Sequence, residues 1–143
     1  MKINKIIAQK GDTVFSISED KSVHDAAADL VEHKIGALLV LDSRNKLAGI
    51  ISERDILKEC VNRANLLKKT TIKTVMSKKL VIGTMDDDVD YIMGVMTNNR
   101  VRHIPIMEGE TIKGIVSIGD VVKHQLHDKE YENHYLQQYM FGH

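Results

Sequence analysis

Two short stretches carry the same polar pair at the same spacing. They are Ser52 and Asp55 in "GIISERD" (Gly49 to Asp55), and Ser117 and Asp120 in "GIVSIGD" (Gly114 to Asp120). Ser-x-x-Asp at a helix start is first of all a capping box, in which hydroxyl and carboxylate satisfy free backbone N–H groups. Ser22 and Asp25 are a control with the same spacing, read as a cap alone, and the matching stretch of the second half, Asp88 to Tyr91, lacks the pattern. The other two pairs offer more, because each stands where an apolar strand turns directly into a helix. Glycine lets another group approach the backbone closely. A helix N-terminus presents free N–H groups and partial positive charge to an anion. A carboxylate beside it can accept two hydrogen bonds from a vicinal diol. Diol plus phosphate at one strand-to-helix turn describes a ribonucleotide.

The pair occurs twice because the chain repeats. At an offset of 66 residues Asp20 falls on Asp86, Val23 on Val89, and "ALLVL" (Ala37–Leu41) on "HIPIM" (His103–Met107). One residue drops out of the next loop; at an offset of 65, Gly49, Ile50, Ser52, Asp55 and Lys58 land on Gly114, Ile115, Ser117, Asp120 and Lys123. Each copy reads as strand, helix, strand, strand, helix. In the first, "TVFSI" is a strand, Ser22 caps a helix with Val23, Ala26, Ala27, Leu30 and Val31 on one face, and Gly36 ends it. "ALLVL" and "LAGII" follow as strands around the turn "DSRNK". The second copy gives strand "LVIGT", a helix facing inward with Val89, Ile92, Met93 and Met96, then strands "RHIPIM" and "IKGIV" around "EGET". Neither copy alone buries much. The expected fold is α+β: two pseudo-twofold-related β-α-β-β-α repeats packed sheet to sheet, followed by a long C-terminal helix. The expected organisation is one module over 1–143, with repeats at 8–62 and 73–126, a linker at 63–72 and a helical tail at 127–143.

The chain of 143 residues is long enough for a core without disulfide or metal. Its 20 basic and 20 acidic residues balance, which argues against bulk electrostatic binding to nucleic acid or membrane. Five lysines in "NRANLLKKTTIKTVMSKK" have no aromatic residues among them and read as solvated surface. Cys60 is the one cysteine, so no internal disulfide forms; it reads as structural, in a reducing compartment. No signal peptide or membrane-length apolar run is found, and a soluble cytoplasmic protein is expected.

The repeat with its two G-h-h-S-x-x-D endings resembles a tandem cystathionine β-synthase (CBS) domain pair, a Bateman module. The resemblance runs from about Lys10 to Lys123. With "IGALLVLD", "GIISERDI", "NNRVRHIPIMEG" and "GIVSIGDVVK", the chain is similar to the small stand-alone CBS-pair proteins of bacteria and plant organelles. The resemblance implies a non-catalytic regulatory module that binds adenine nucleotides in two clefts between the repeats and signals to a partner protein, of which redox enzymes or thioredoxin are one kind. AMP or ATP is expected first, NAD is the competitor, and S-adenosylmethionine occurs in the family. The first cleft would have Ser52 and Asp55 on the ribose, faced by Val101, Arg102 and His103, with Met76 and Val81 near the base. Arg102 would hold phosphate; His103 would help or be a wall residue. The second would have Ser117 and Asp120, faced by Ile35, Gly36 and Ala37, with Lys10 and Phe15. Arg54 would reach a phosphate from across that second cleft or face solvent.

From Ile118 a helix can run to the end of the chain, with Tyr131, Tyr135 and Tyr139 in a stripe beside Leu136 and Met140. It packs on its own domain or forms the contact of a homodimer, which CBS pairs commonly form. His124 and His127 lie one turn apart, but no carboxylate or cysteine joins them in an established metal pattern, and no metal is expected. There is no P-loop, G-x-G-x-x-G, H-E-x-x-H or G-x-S-x-G, and "MDDDVD" (Met85–Asp90) reads as a turn and helix start rather than a carboxylate site. The alternatives to a nucleotide sensor are an enzyme and a purely structural dimerisation domain.

Overall fold

In each half of the chain an amphipathic helix leads into a β-hairpin, and the hairpin leads without a loop into a second helix. The computed structural model describes residues 1–11 and 13–127. Helix α1 is Ile3–Lys10; the first repeat comprises β1 (Ser16–Ser18), α2 (Val23–His33), β2 (Ala37–Leu41), β3 (Leu47–Ser52) and α3 (Glu53–Arg63). The second comprises α4 (Val89–Asn99), β4 (His103–Glu108), β5 (Thr111–Ser117) and α5 (Ile118–His127). The rest of the expected C-terminal helix, with its tyrosine stripe, lies outside the described residues.

Helix α2 starts at a complete capping box: the Asp25 N–H donates to Ser22 Oγ at 3.0 Å, and the Ser22 N–H donates to Asp25 Oδ2 at 3.3 Å. Its inward face buries Val23, Ala26 and Leu30, and α4 buries Val89, Ile92 and Met96 at matching positions. The stop of α2 differs from expectation. It falls at Lys34, not Gly36, and α4 stops at Arg100 in the same way; both residues are left-handed, with φ 55°. That conformation costs a non-glycine residue on the order of 1–2 kcal/mol. It is held here by the cap N–H bonding back into the helix, Lys34 to the Leu30 carbonyl and Arg100 to that of Met96. Gly36 instead admits a close neighbour, since a Cβ on it would lie 3.2 Å from His103 Nε2 of the other repeat.

The hairpins match in register. Ala37 pairs Ser52 and Val40 pairs Gly49, as His103 pairs Ser117 and Ile106 pairs Gly114, with the register slipping just after Val40 and just after Ile106. Strand β1 adds in parallel to β2, Ile17 opposite Val40. The strand expected at "LVIGT" is absent and only one parallel bridge remains, Gly83 to Ile106, 66 residues on from Ile17 and Val40. Gly83 lies so close to Ile92 and Ile106 that a Cβ would come within 2.8 and 2.9 Å of their Cδ1 atoms. Immediately after it, Asp87 Oδ2 takes the Thr84 N–H at 2.8 Å and turns the chain away. "TVFSI" likewise contributes only its last two residues to β1.

Two apolar cores result. One packs Ile17, Leu30, Leu38, Val40 and Ile51 with Ile72 and Met76 from the linking segment 64–79, which runs beyond the linker of 63–72 expected from the sequence. The other packs Ile92, Met96, Ile104, Ile106 and Val116 with Ile3, Ile6 and Ile7 of α1. The linker thus completes the first repeat, and the N-terminal helix, for which no element is expected from the repeat pattern, completes the second. Strand alternation does the rest. Leu38 and Val40 point into their own core; Leu39 points the other way and is still fully buried, and Pro105 at the matching position of β4 is buried too. That second face is where the two sheets meet.

Candidate functional site

No residue separates β3 from α3, or β5 from α5, so each strand delivers its serine to the first turn of a helix. At the first turn Asp55 Oδ2 accepts from the Ser52 N–H at 2.9 Å and from Ser52 Oγ at 3.0 Å, while the Asp55 N–H donates to Ser52 Oγ at 3.3 Å. At the second, Asp120 Oδ2 accepts from the Ser117 N–H at 2.9 Å and the Asp120 N–H donates to Ser117 Oγ at 3.0 Å. Both carboxylates are half-buried. Local geometry is therefore repeated, and the surroundings are not.

Beside Ser52 and Asp55 a cavity of about 220 Å³ lies between the repeats. Repeat one supplies Ile50, Ser52, Arg54 and Asp55; the far wall is Val101, Arg102 and His103, with Val81 and Pro105. The structure thus brings Ser52, Asp55, Val81, Val101, Arg102 and His103 together, and it places Arg54 on this cavity. Met76 does not line it. Met76 is buried in the first core, its sulfur packed against Gly49. Seven lining residues are not singled out by the sequence: Ile50, Glu53, Ser77, Lys79, Leu80, Arg100 and Pro105, of which Lys79 and Arg100 are cations and Glu53 an acid. Arg100 sits at the left-handed stop of α4, and its repeat-mate Lys34 gives no cue that this position turns a cation toward a cleft. Four cations, Arg54, Lys79, Arg100 and Arg102, therefore outnumber the two carboxylates, Glu53 and Asp55, that line the cavity.

His103 stands between the two clamps. Burial pushes its imidazole pKa down, nearby Glu53 pulls it up, and Lys10 pushes it down again. The balance is a pKa below the ordinary value, which favours the neutral ring at pH 7.

At the second clamp Lys10 Nζ lies 2.7 Å from Asp120 Oδ2 and 2.6 Å from the Ile115 carbonyl. Of the other residues expected there, Gly36 lies against His103, Ala37 pairs Ser52 in the sheet, and Ile35 packs on the first core. Phe15 stacks on His33, ring centroids 4.0 Å apart. Burial raises the Asp120 pKa, but the Lys10 ammonium and the Ser117 N–H outweigh it and hold the carboxyl below its ordinary value of 3.8. A carboxylate with a depressed folded pKa contributes stability above its unfolded pKa and loses it as pH falls through the folded one. Lys10→Met should therefore lose less stability than the parent as pH falls from about 5 through the unfolded value near 3.8 and below it, by no more than about 1 kcal/mol for a pair still open to solvent. Thermal melts across that range check this.

His124 is buried with Nε2 unpartnered among the described residues, and no group of three metal-ligating side chains occurs among them. No described helix is long and apolar enough to cross a membrane.

The CBS domain family model matches residues 11–62 and 72–127. The chain is 37% identical over 127 residues to a mitochondrial CBS domain-containing protein of Arabidopsis thaliana, CBSX3, matching 86% of this chain and spanning 62% of that protein's length. A putative signal-transduction protein with CBS domains from Burkholderia ambifaria superposes with a TM-score of 0.84 at 32% identity, over 91% of this chain and 97% of that one. The CBS domain pair of protein MJ0100, solved with 5′-methylthioadenosine and S-adenosyl-L-methionine, superposes with a TM-score of 0.79 at 24% identity, over 90% and 98% of the two chains.

Proposed function

The chain belongs to the CBS-domain family, and from that premise we propose that it is a non-catalytic module that binds an adenine nucleotide between its repeats and passes occupancy to a protein partner. The observation that carries this reading is the cavity that joins the Ser52–Asp55 clamp of one repeat to the Val101–His103 wall of the other. Asp55 commits Oδ2 to its own helix cap and offers Oδ1 to a ribose diol. Ile50, Val81, Val101 and Pro105 give the adenine ring apolar walls. Arg54, Lys79, Arg100 and Arg102 match phosphate oxygens by charge-assisted hydrogen bonds. A pair of the same fold that holds two adenosine-containing ligands supports the adenosine part of the reading. The four cations favour ADP or ATP over AMP, with NAD as the rival diphosphate.

A ligand that touches both repeats favours one angle between them, and that angle sets the surface offered to a partner. The module acts as a homodimer. Leu57 of α3 and Val122 of α5, 65 residues apart, are exposed at 66% and 45%, so both repeats present an apolar helix face at matching positions.

Isothermal titration with AMP, ADP, ATP, NAD and S-adenosylmethionine tests the binding. Micromolar affinity for ADP or ATP is expected. Tighter binding of NAD than of ADP would make the module a redox rather than an energy sensor. No heat with any ligand, from folded and ligand-free protein, would leave two capped helices in a dimerisation scaffold.

A further inference from the structure

The two clamps are built alike and guarded differently. In repeat one the linker crosses the end of β3 by a backbone bridge: the Ser77 N–H donates to the Ile50 carbonyl at 2.9 Å and the Ile50 N–H to the Ser77 carbonyl at 3.1 Å. The repeat-mates of Lys10 and Gly11, 66 residues on, are Met76 and Ser77. In repeat two that bridge does not form, because α1 runs on through Lys10 and Gly11 spends its N–H on the Ile7 carbonyl as the helix cap. The carbonyl left over, Ile115, the counterpart of Ile50, is taken by Lys10 Nζ, which also binds Asp120.

Resting on the nucleotide reading above, we infer that Lys10 is a tethered cation that occupies the second clamp and confines nucleotide binding to the first. A ribose diol entering at Asp120 must displace an ammonium that is already in place and cannot diffuse away. Among the described residues Asp55 meets no such competitor: its side-chain hydrogen bonds there are to Ser52, and it lines the open cavity. Lys10 is thereby a specificity-determining residue whose side chain chooses between two clamps that share the same serine–aspartate capping contacts.

The test is the stoichiometry of ADP binding to the full chain, by titration calorimetry. The parent should bind one ADP per chain and Lys10→Met two. Lys10→Gln, which keeps a donor for the Ile115 carbonyl but no charge, is the second variant and should also bind two. The site gained should vanish in Lys10→Met with Asp120→Ala and persist in Lys10→Met with Asp55→Ala. One site in the parent and in both variants would overturn the role of Lys10 and leave the nucleotide reading intact, as would two sites in the parent. No site in the parent but one in Lys10→Met would support the tethered cation and overturn the assignment of the first cavity. No binding in any of them would overturn both.

Discussion

Asp55→Ala is expected to weaken ADP binding by about 10- to 100-fold, while the protein stays folded. The carboxylate would lose its charge-assisted hydrogen bonds to the ribose, each worth roughly 1.5–3 kcal/mol. Part of that returns as water rehydrates the freed hydroxyls, and about 1.4 kcal/mol corresponds to each tenfold in affinity. The same substitution removes a helix cap, at about 1 kcal/mol of stability. Binding and stability must therefore be separated, and the chain contains the control. Asp25 makes the same reciprocal capping contacts with Ser22 at an exposed helix start that does not border the cavity. Asp25→Ala should shift the urea midpoint in the same direction as Asp55→Ala and leave ADP affinity unchanged. Equal affinity for both variants would make Asp55 a cap and nothing more.

Gly49→Ala is the second large effect, and its repeat-mate Gly114→Ala should be mild. A Cβ at Gly49 would lie 2.7 Å from the Ser77 carbonyl oxygen and 2.7 Å from Met76 Sδ. The carbonyl belongs to the bridge that ties the linker to β3, so it can yield only by breaking that bridge. A Cβ at Gly114 would lie 2.8 Å from Ile7 Cδ1, the end of a side chain that can rotate. Overpacking that forces backbone to move costs roughly 1–3 kcal/mol. Gly49→Ala should fall in the upper half of that range and Gly114→Ala below about 1 kcal/mol. Urea denaturation of the two variants side by side measures the difference. Similar losses would mean that the linker bridge is softer than its paired hydrogen bonds of 2.9 and 3.1 Å indicate.

Much of the fold is legible in the sequence because the repeat is written in apolar periodicity. Val23, Ala26 and Leu30 against Val89, Ile92 and Met96 locate both first helices. The two Ser-x-x-Asp turns follow strands with clear alternation. Local pattern fails where tertiary contacts decide. Gly83 has strand neighbours, yet Ile92 and Ile106 press on it and one residue later the chain turns. Ile3, Ile6 and Ile7 have helical spacing, but eight residues make a marginal helix until a core receives them. At the site, the serines and aspartates are legible because capping constrains their spacing. Arg100 and Lys79 are not, since a cation on a cap or a linker looks solvated until the opposite repeat is in place. For the same reason Arg54 is expected at the second cleft and lines the first. Resemblance puts Lys10 near Asp120, and only the geometry shows that it holds the carboxylate rather than waiting beside it.

The exchange of packing partners, N-terminal helix onto the second repeat and linker onto the first, has a consequence for synthesis. Lys10 and Asp120 are 110 positions apart, so α1 leaves the ribosome long before the surface it covers exists. The first repeat can acquire its linker while translation continues, but Ile3, Ile6 and Ile7 must wait for the second repeat, from Met85 through Val121, to emerge. Late closure of so distant a contact favours slow final folding and gives chaperones a defined hydrophobic segment to hold. Maturation of this module is thus vectorial: the segment made early is among the last to dock.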